Sequence, residues 1–302
     1  TRLMSSISQM VRGVRRWAVA ALLITSAACH GDVINMNAPD RHRATQNPND
    51  VEALIGGAFY PTLHTAFNTS LSIRHFANAA SDFIATLAGS QDQQQYEEIM
   101  QPRRYHNNGA HISQSVGPHG PRFFWAAIGR VASVTYDGLQ LIDEGMKFMD
   151  GNVDNTPRAK AFAKFMQGWA WGYQALIWDK SHVLPETVPI PDDPDAVREL
   201  AISTLTPYPE AMEAALASLD EAIAIAQAHP DVVRFPSLSE SPLWFGSPTP
   251  ISNEKFIQMA NTLAARLLVL NARTPAERAA VDWQRVLQYT ANGLTEDFEM
   301  QL

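Results

Sequence analysis

Cysteine is almost missing from this 302-residue chain: Cys29 stands alone. A lone thiol has no partner for a disulfide within the chain, so stability must come from packing. Val/Ile/Thr runs with period two are missing as well, which argues against a fold built on a half-buried sheet. The apolar run from Trp17 to Ile24 is far short of the ~20 residues that span a bilayer. Positive charge is scarce. Lys and Arg total 23 against 31 Asp and Glu, a formal charge of −8, and Arg2, Arg12, Arg15 and Arg16 all lie within residues 1–28, which hold no acid. Without those residues the charge falls to −12. So acidic a body is a poor match for nucleic-acid phosphates, and it offers no basic surface for a membrane. Gly-x-Ser-x-Gly, Walker and His-Glu-x-x-His motifs do not occur. What is present is 46% hydrophobic residues, enough for a full core in one large or two small domains.

Cys29 has an informative neighbourhood. Arg12, Arg15 and Arg16 form a basic segment, Trp17–Ile24 an apolar one, and Thr25-Ser26-Ala27-Ala28 a run of small residues. That is the order of an export signal. The cysteine directly after it resembles the lipobox of bacterial lipoproteins, with Ser26 where leucine is usual. The expected organisation is a lipoprotein signal peptide over 1–28, a lipid-anchored flexible tether over 29–48 and a helical domain over 49–302. The chain opens on Thr1, so the initiator is expected at Met4 or Met10. Cys29 is the candidate lipidation site, and His30 after it resembles lipoproteins that leave the inner membrane.

Helical spacing dominates the rest. Asn49 is placed to cap a helix carrying Val51, Leu54, Ile55, Ala58 and Phe59. Leu71 to Leu87 is a second amphipathic candidate, and 89–121 reads as a long surface loop. Pro121 to Met149, Thr156-Pro157 to Trp178, Pro207 to Ala228 and Ser252 to Asn271 read as helices, and Thr274-Pro275 opens a last one ending near Asn292-Gly293. Residues 180–206 and 229–251 are Pro-rich and irregular. The fold class is all-α. Small residues on 157–178 (Ala163, Gly168, Ala170, Gly172) and 252–271 (Ala260, Ala264) let partner helices approach, as in tetratricopeptide-type hairpins split by long irregular loops.

Three stretches then resemble the SusD/RagB family of outer-membrane nutrient-binding lipoproteins. They are Asn47-Pro48-Asn49-Asp50 with the helix Val51-Glu52-Ala53-Leu54-Ile55-Gly56-Gly57-Ala58-Phe59-Tyr60; Arg158-Ala159-Lys160-Ala161-Phe162 through Trp169-Ala170-Trp171-Gly172-Tyr173 with Val188-Pro189-Ile190-Pro191; and Trp244-Phe245-Gly246 with Lys255-Phe256-Ile257-Gln258-Met259-Ala260-Asn261-Thr262-Leu263-Ala264-Ala265-Arg266. The resemblance implies a SusD-like α/α superhelix and a cell-surface, lipid-anchored location at the outer membrane. It also implies capture of oligosaccharides or peptides for a SusC-like TonB-dependent transporter, with no enzymatic activity and no cofactor. Family members commonly run longer, so part of the C-terminal ligand-loop region is expected to be lacking. The alternatives are a tetratricopeptide-like interaction scaffold without nutrient binding, and a periplasmic hydrolase whose paired carboxylates would be invisible in sequence.

Glycan capture needs aromatic faces and polar rims. The candidate ligand residues are therefore the loop residues Tyr96, Tyr105, His106, Asn107 and Asn108, and Trp244 and Phe245 of a second loop. Trp125, Trp169, Trp171, Trp178 and Trp283 lie on helices and read mostly as core, with Trp178 placed to border a groove. His106, His111 and His119 lack metal-ligand spacing. Asp192, Asp193 and Asp195 surround Pro194 and do not form a calcium loop. No metal is expected.

Overall fold

The computed structural model describes residues 45–60, 120–191 and 193–299, with side chains of the second stretch from Trp125 onward. The export signal, Cys29, the helix expected over Leu71 to Leu87 and all but the last two residues of the loop expected over 89–121 lie outside these residues; those two, Gly120 and Pro121, are helical. Within them the order is α1 (Pro48–Gly56), α2 (Gly120–Asp143), β1 (Met149–Asp150), β2 (Val153–Asp154), α3 (Thr156–Ile177), β3 (Lys180–His182), α4 (Pro194–Ser203), β4 (Leu205–Pro207), α5 (Tyr208–Ala228), α6 (Asn253–Leu270), α7 (Pro275–Ala279) and α8 (Trp283–Ala291). The class is all-α.

The middle layer is α3. Fifteen of its 22 residues are buried, so it is apolar nearly all round, as an enclosed helix must be. It packs against α2, α5 and α6. Two glycines set the spacing. A Cβ on Gly168 would collide with the Ala215 carbonyl and Leu219 of α5, and one on Gly172 with Leu267 of α6. The expected small-residue contacts are thus real contacts. On α5 the stripe Met212, Leu216, Leu219 is fully buried.

Several boundaries differ from expectation. The cap of α1 is Asn47, whose Oδ1 accepts from the Asn49 amide at 3.0 Å, because Pro48 fits the first helical position. Helix α2 stops at Asp143 where its apolar spacing predicts Met149. Gly145 at φ 103° turns the chain, and Phe148 drops into the core. Thr156 is the first residue of α3, and its Oγ1 accepts from the Phe148 amide at 3.0 Å. The expected last helix is two. Thr274 and Glu277 close a capping box on α7. Asp282 then caps α8, accepting from the Arg285 amide at 3.0 Å, a role aspartate fills better than a helix interior. The sequence predicts no strand, yet β1 pairs with β2, and β3 pairs with β4 in the register Lys180↔Pro207, Ser181↔Thr206, His182↔Leu205. At two or three residues each, they are too short to print a period of two.

Candidate functional site

Trp244 and Phe245 belong to the core, at 3% and 1% exposure. Phe162 of α3 meets Trp244 edge-on at 5.0 Å and Phe245 at 4.9 Å, and Phe235 and Phe256 close the cluster. Rings enclosed to that degree have no face left for a sugar, so as ligand contacts they are corrected by their own packing. Tyr96, Tyr105, His106, Asn107 and Asn108 lie outside the described residues, as does Cys29. Trp169 and Trp171 are core, as expected. Trp283 is not, at 53% exposure. Trp178 is half-buried beside Trp125, their rings edge-on at 4.7 Å.

A polar-lined concavity lies elsewhere, where α5 meets α7 and α8. Two adjoining hollows of about 310 and 300 Å³ share Asp282 and Arg285. One is walled by Asp220, Gln284, Gln288 and Tyr289. The other is walled by Tyr208, Glu213, Asn271 and Glu277, with Leu268 and Val281 as apolar floor.

The α5 stripe that buries Leu216 and Leu219 turns Glu213 and Asp220 outward, at helical spacing on the opposite side. The cap at Asp282 starts α8 so that Arg285 and Tyr289, four apart, meet them. Arg285 donates from Nη1 to Glu213 Oε2 at 2.9 Å, from Nη2 to Asp220 Oδ2 at 3.4 Å and from Nε to the Tyr289 hydroxyl at 3.1 Å. That hydroxyl in turn donates to Asp220 Oδ1 at 2.8 Å. Burial, followed by the bond to Asp220, pushes the Tyr289 hydroxyl up to about 12. It therefore stays a neutral donor throughout the physiological range. For Arg285 burial works downward, and the bonds to Glu213 and Tyr289 outweigh it and hold the guanidinium above its ordinary value.

The far wall is a second network. Arg273 lies 3.8 Å over the Tyr208 ring. It donates to the Ala175 and Trp178 carbonyls at 2.6 and 2.8 Å and to Asp179 at 2.7 Å. It thereby satisfies the open carbonyls at the end of α3. Tyr208 donates to Glu277 Oε1, whose other oxygen takes the Arg273 and Thr274 amides at 2.6 and 3.0 Å. The bond from Tyr208 is the largest influence holding the Glu277 carboxyl below the ordinary range.

Chemically, the groove is an acceptor-rich polar surface on rigid helices. Every N–H direction of Arg285 that the networks use points at a protein group. The side chains of Gln284, Gln288 and Asp282 face outward and exposed. Sequence reasoning missed this site because its residues are separate in the chain and none sits on a long loop. The visible trace was the Asp282-Trp283 start of a helix and the spacing of Arg285 and Tyr289.

Among the described residues no cluster of three or more His, Cys, Asp or Glu side chains could hold a metal ion, and no helix is long and apolar enough to cross a membrane. Set against protein-family models, curated proteins and solved structures, the chain matches none.

Proposed function

We propose that the chain is a cell-surface, outer-membrane lipoprotein of SusD/RagB type, anchored through Cys29. In this reading it captures oligosaccharides or peptides, delivers them to a SusC-like TonB-dependent transporter and carries out no catalysis. Its helix hairpins are read as tetratricopeptide-like: α3 with α5, and α6 with α8, each built on small residues at the contact. One observation carries the reading. The three stretches that resemble the family meet in space. Glu52 of the first pairs with Arg158 of the second at 2.6 Å. Arg158 lies 5.1 Å over the Trp244 ring of the third, and Phe256 of the third packs on Phe165 of the second. Residues far apart in the chain that share a resemblance and also share a core are tied together by folding, which favours one inherited scaffold over three coincidences.

The groove between α5 and α8 supplies a ligand surface for this reading, since sugar hydroxyls and peptide amides both seek acceptors fixed in advance. A glycan and peptide array with the mature chain is expected to show binding. Gln284→Ala combined with Gln288→Ala is expected to weaken it roughly tenfold, about 1.4 kcal/mol, with an unchanged melting temperature. Full affinity in that variant removes the groove from the reading, and silence across the array removes nutrient capture.

A further inference from the structure

The groove between α5 and α8 keeps acceptors that its own networks leave open. Arg285 engages one oxygen of Glu213 with its side chain and one of Asp282 with its backbone amide. Among the described residues, Glu213 Oε1 and Asp282 Oδ2 accept no hydrogen bond, and both side chains are exposed. Donors are different. Arg285 is engaged through all three guanidinium nitrogens, and the Tyr289 hydroxyl gives its proton to Asp220. What remains fixed and charged in the groove is therefore carboxylate oxygen.

The charge balance points the same way. Glu213, Asp220, Glu277 and Asp282 line the two hollows against Arg285 alone, four carboxylates to one guanidinium and a formal −3. Arg273, behind the Tyr208 ring, does not offset this, because Asp179 takes its charge at 2.7 Å. The imbalance runs along α5, which carries Glu210, Glu213, Asp220 and Glu221 and no Lys or Arg. Concave sites lined by one sign of charge focus the field on an incoming ion. The floor, by contrast, is apolar: Leu268 and Val281 are half-buried in the hollow that Glu213 and Asp282 also line. At about 300 Å³ that hollow lies at the lower end of ligand pockets, a size for a side chain. Lys and Arg combine the two requirements, an aliphatic stem that packs on apolar surface and a cationic head.

We infer that this groove selects basic ligands, peptides whose Lys or Arg stem lies on Leu268 and Val281 and whose cationic head meets Glu213 and Asp282. The inference rests on the ligand groove of the proposed function and narrows what it captures. A neutral sugar donates to the same oxygens but leaves the negative charge of the hollow uncompensated. An acidic ligand is repelled by it. The chain as a whole, at a formal −8, favours the approach of cations over anions.

The test titrates the full chain with short peptide libraries blocked at both ends, so that no terminal charge contributes. The central residue is Lys, Arg, Gln or Glu, and the flanks are neutral. A set of neutral oligosaccharides is run beside them. Affinity is expected to be roughly tenfold higher for Lys and Arg centres than for Gln, and lowest for Glu. Glu213→Gln with Asp282→Asn keeps the acceptors and the helix cap, since Asn caps as well as Asp. That variant is expected to bring the Lys centre to within about threefold of an unchanged Gln centre. Gln284→Lys alters an exposed lining residue outside the Arg285 network and serves even where the first variant does not fold. It is expected to weaken Lys centres and strengthen Glu centres. Equal affinity for Lys and Gln centres, a Lys preference that persists in a folded variant, or binding of oligosaccharides alone overturns the inference and leaves nutrient capture standing. Silence toward every peptide and oligosaccharide ends both.

Discussion

Trp244 is held in the left-handed region at φ 67°, where a bulky side chain costs on the order of 1–3 kcal/mol. The neighbourhood offsets that cost. The Trp244 amide donates to the Gly56 carbonyl at 2.6 Å and its carbonyl accepts from the Tyr60 amide at 3.2 Å, so the strained residue stitches its loop to α1. Two residues on, Gly246 sits at φ 63° with the Tyr60 ring where a Cβ would project. Both objections act on the same substitution. Gly246→Ala is expected to lower the free energy of unfolding by about 1–3 kcal/mol, measured by urea denaturation, and an unchanged midpoint would show that Tyr60 moves aside freely. This turn explains why Trp244 and Phe245 read as ligand contacts in the sequence. Aromatics in a Pro-rich stretch look exposed, and only the left-handed backbone at 244 and 246 rotates them inward. The glycine after the pair was the legible hint.

At the scale of elements, the long helices α3, α5 and α6 were legible because their apolar spacing and small-residue contacts are both local sequence properties. The α7–α8 break and the β3–β4 ladder were not. They depend on Arg273 reaching α3 and on a buried polar centre that pins the 183–191 segment. In that centre Lys164 of α3 meets Glu186 at 2.6 Å and Glu221 of α5 at 2.7 Å. Gln167 donates to the other Glu186 oxygen at 3.0 Å. Ser218 Oγ lies 2.9 Å from both the Lys164 carbonyl and Gln167 Oε1. Lys164 sits inside an otherwise apolar helix and gives no sign in sequence that it is buried. Removing one member of such a pair strands the other charge. Lys164→Met is expected to destabilise by about 3–5 kcal/mol, and adding Glu186→Gln to recover most of that loss. Thermal unfolding of the single and double variants reads the coupling. Additive losses would mean that the pair is not what holds the segment.

At the scale of the whole molecule, the individual groups combine into a pH profile with two limbs. Burial holds His182 below its ordinary value. Thr156 holds Asp154 below its own. For Glu186 burial works upward, and the bonds from Lys164 and Gln167 outweigh it and lower the carboxyl. In each case the unfolded chain binds more protons than the folded one as the solution is acidified, so stability falls with falling pH. The His182 contribution is complete above its ordinary value, about 6.5, and the carboxylate contributions above about 4.3. Acid should therefore act in two steps, a shallow one below about pH 6.5 and a steeper one below about pH 4.3. On the alkaline side burial works to lower Lys164, and the bonds to Glu186 and Glu221 raise it overall. Tyr289 is raised to about 12. Here the folded state keeps protons that the unfolded chain gives up, so stability declines once the pH passes about 10. Melting temperatures between about pH 3 and 11 should trace a plateau bounded by these limbs, and His182→Gln should erase the shallow acid step while leaving the steep one in place. If the wild-type chain loses nothing between about pH 6.5 and 5, or if the variant keeps that loss, His182 is not held neutral by the fold. Its ring, 5.9 Å from that of Trp125, would then be more solvated than that packing indicates.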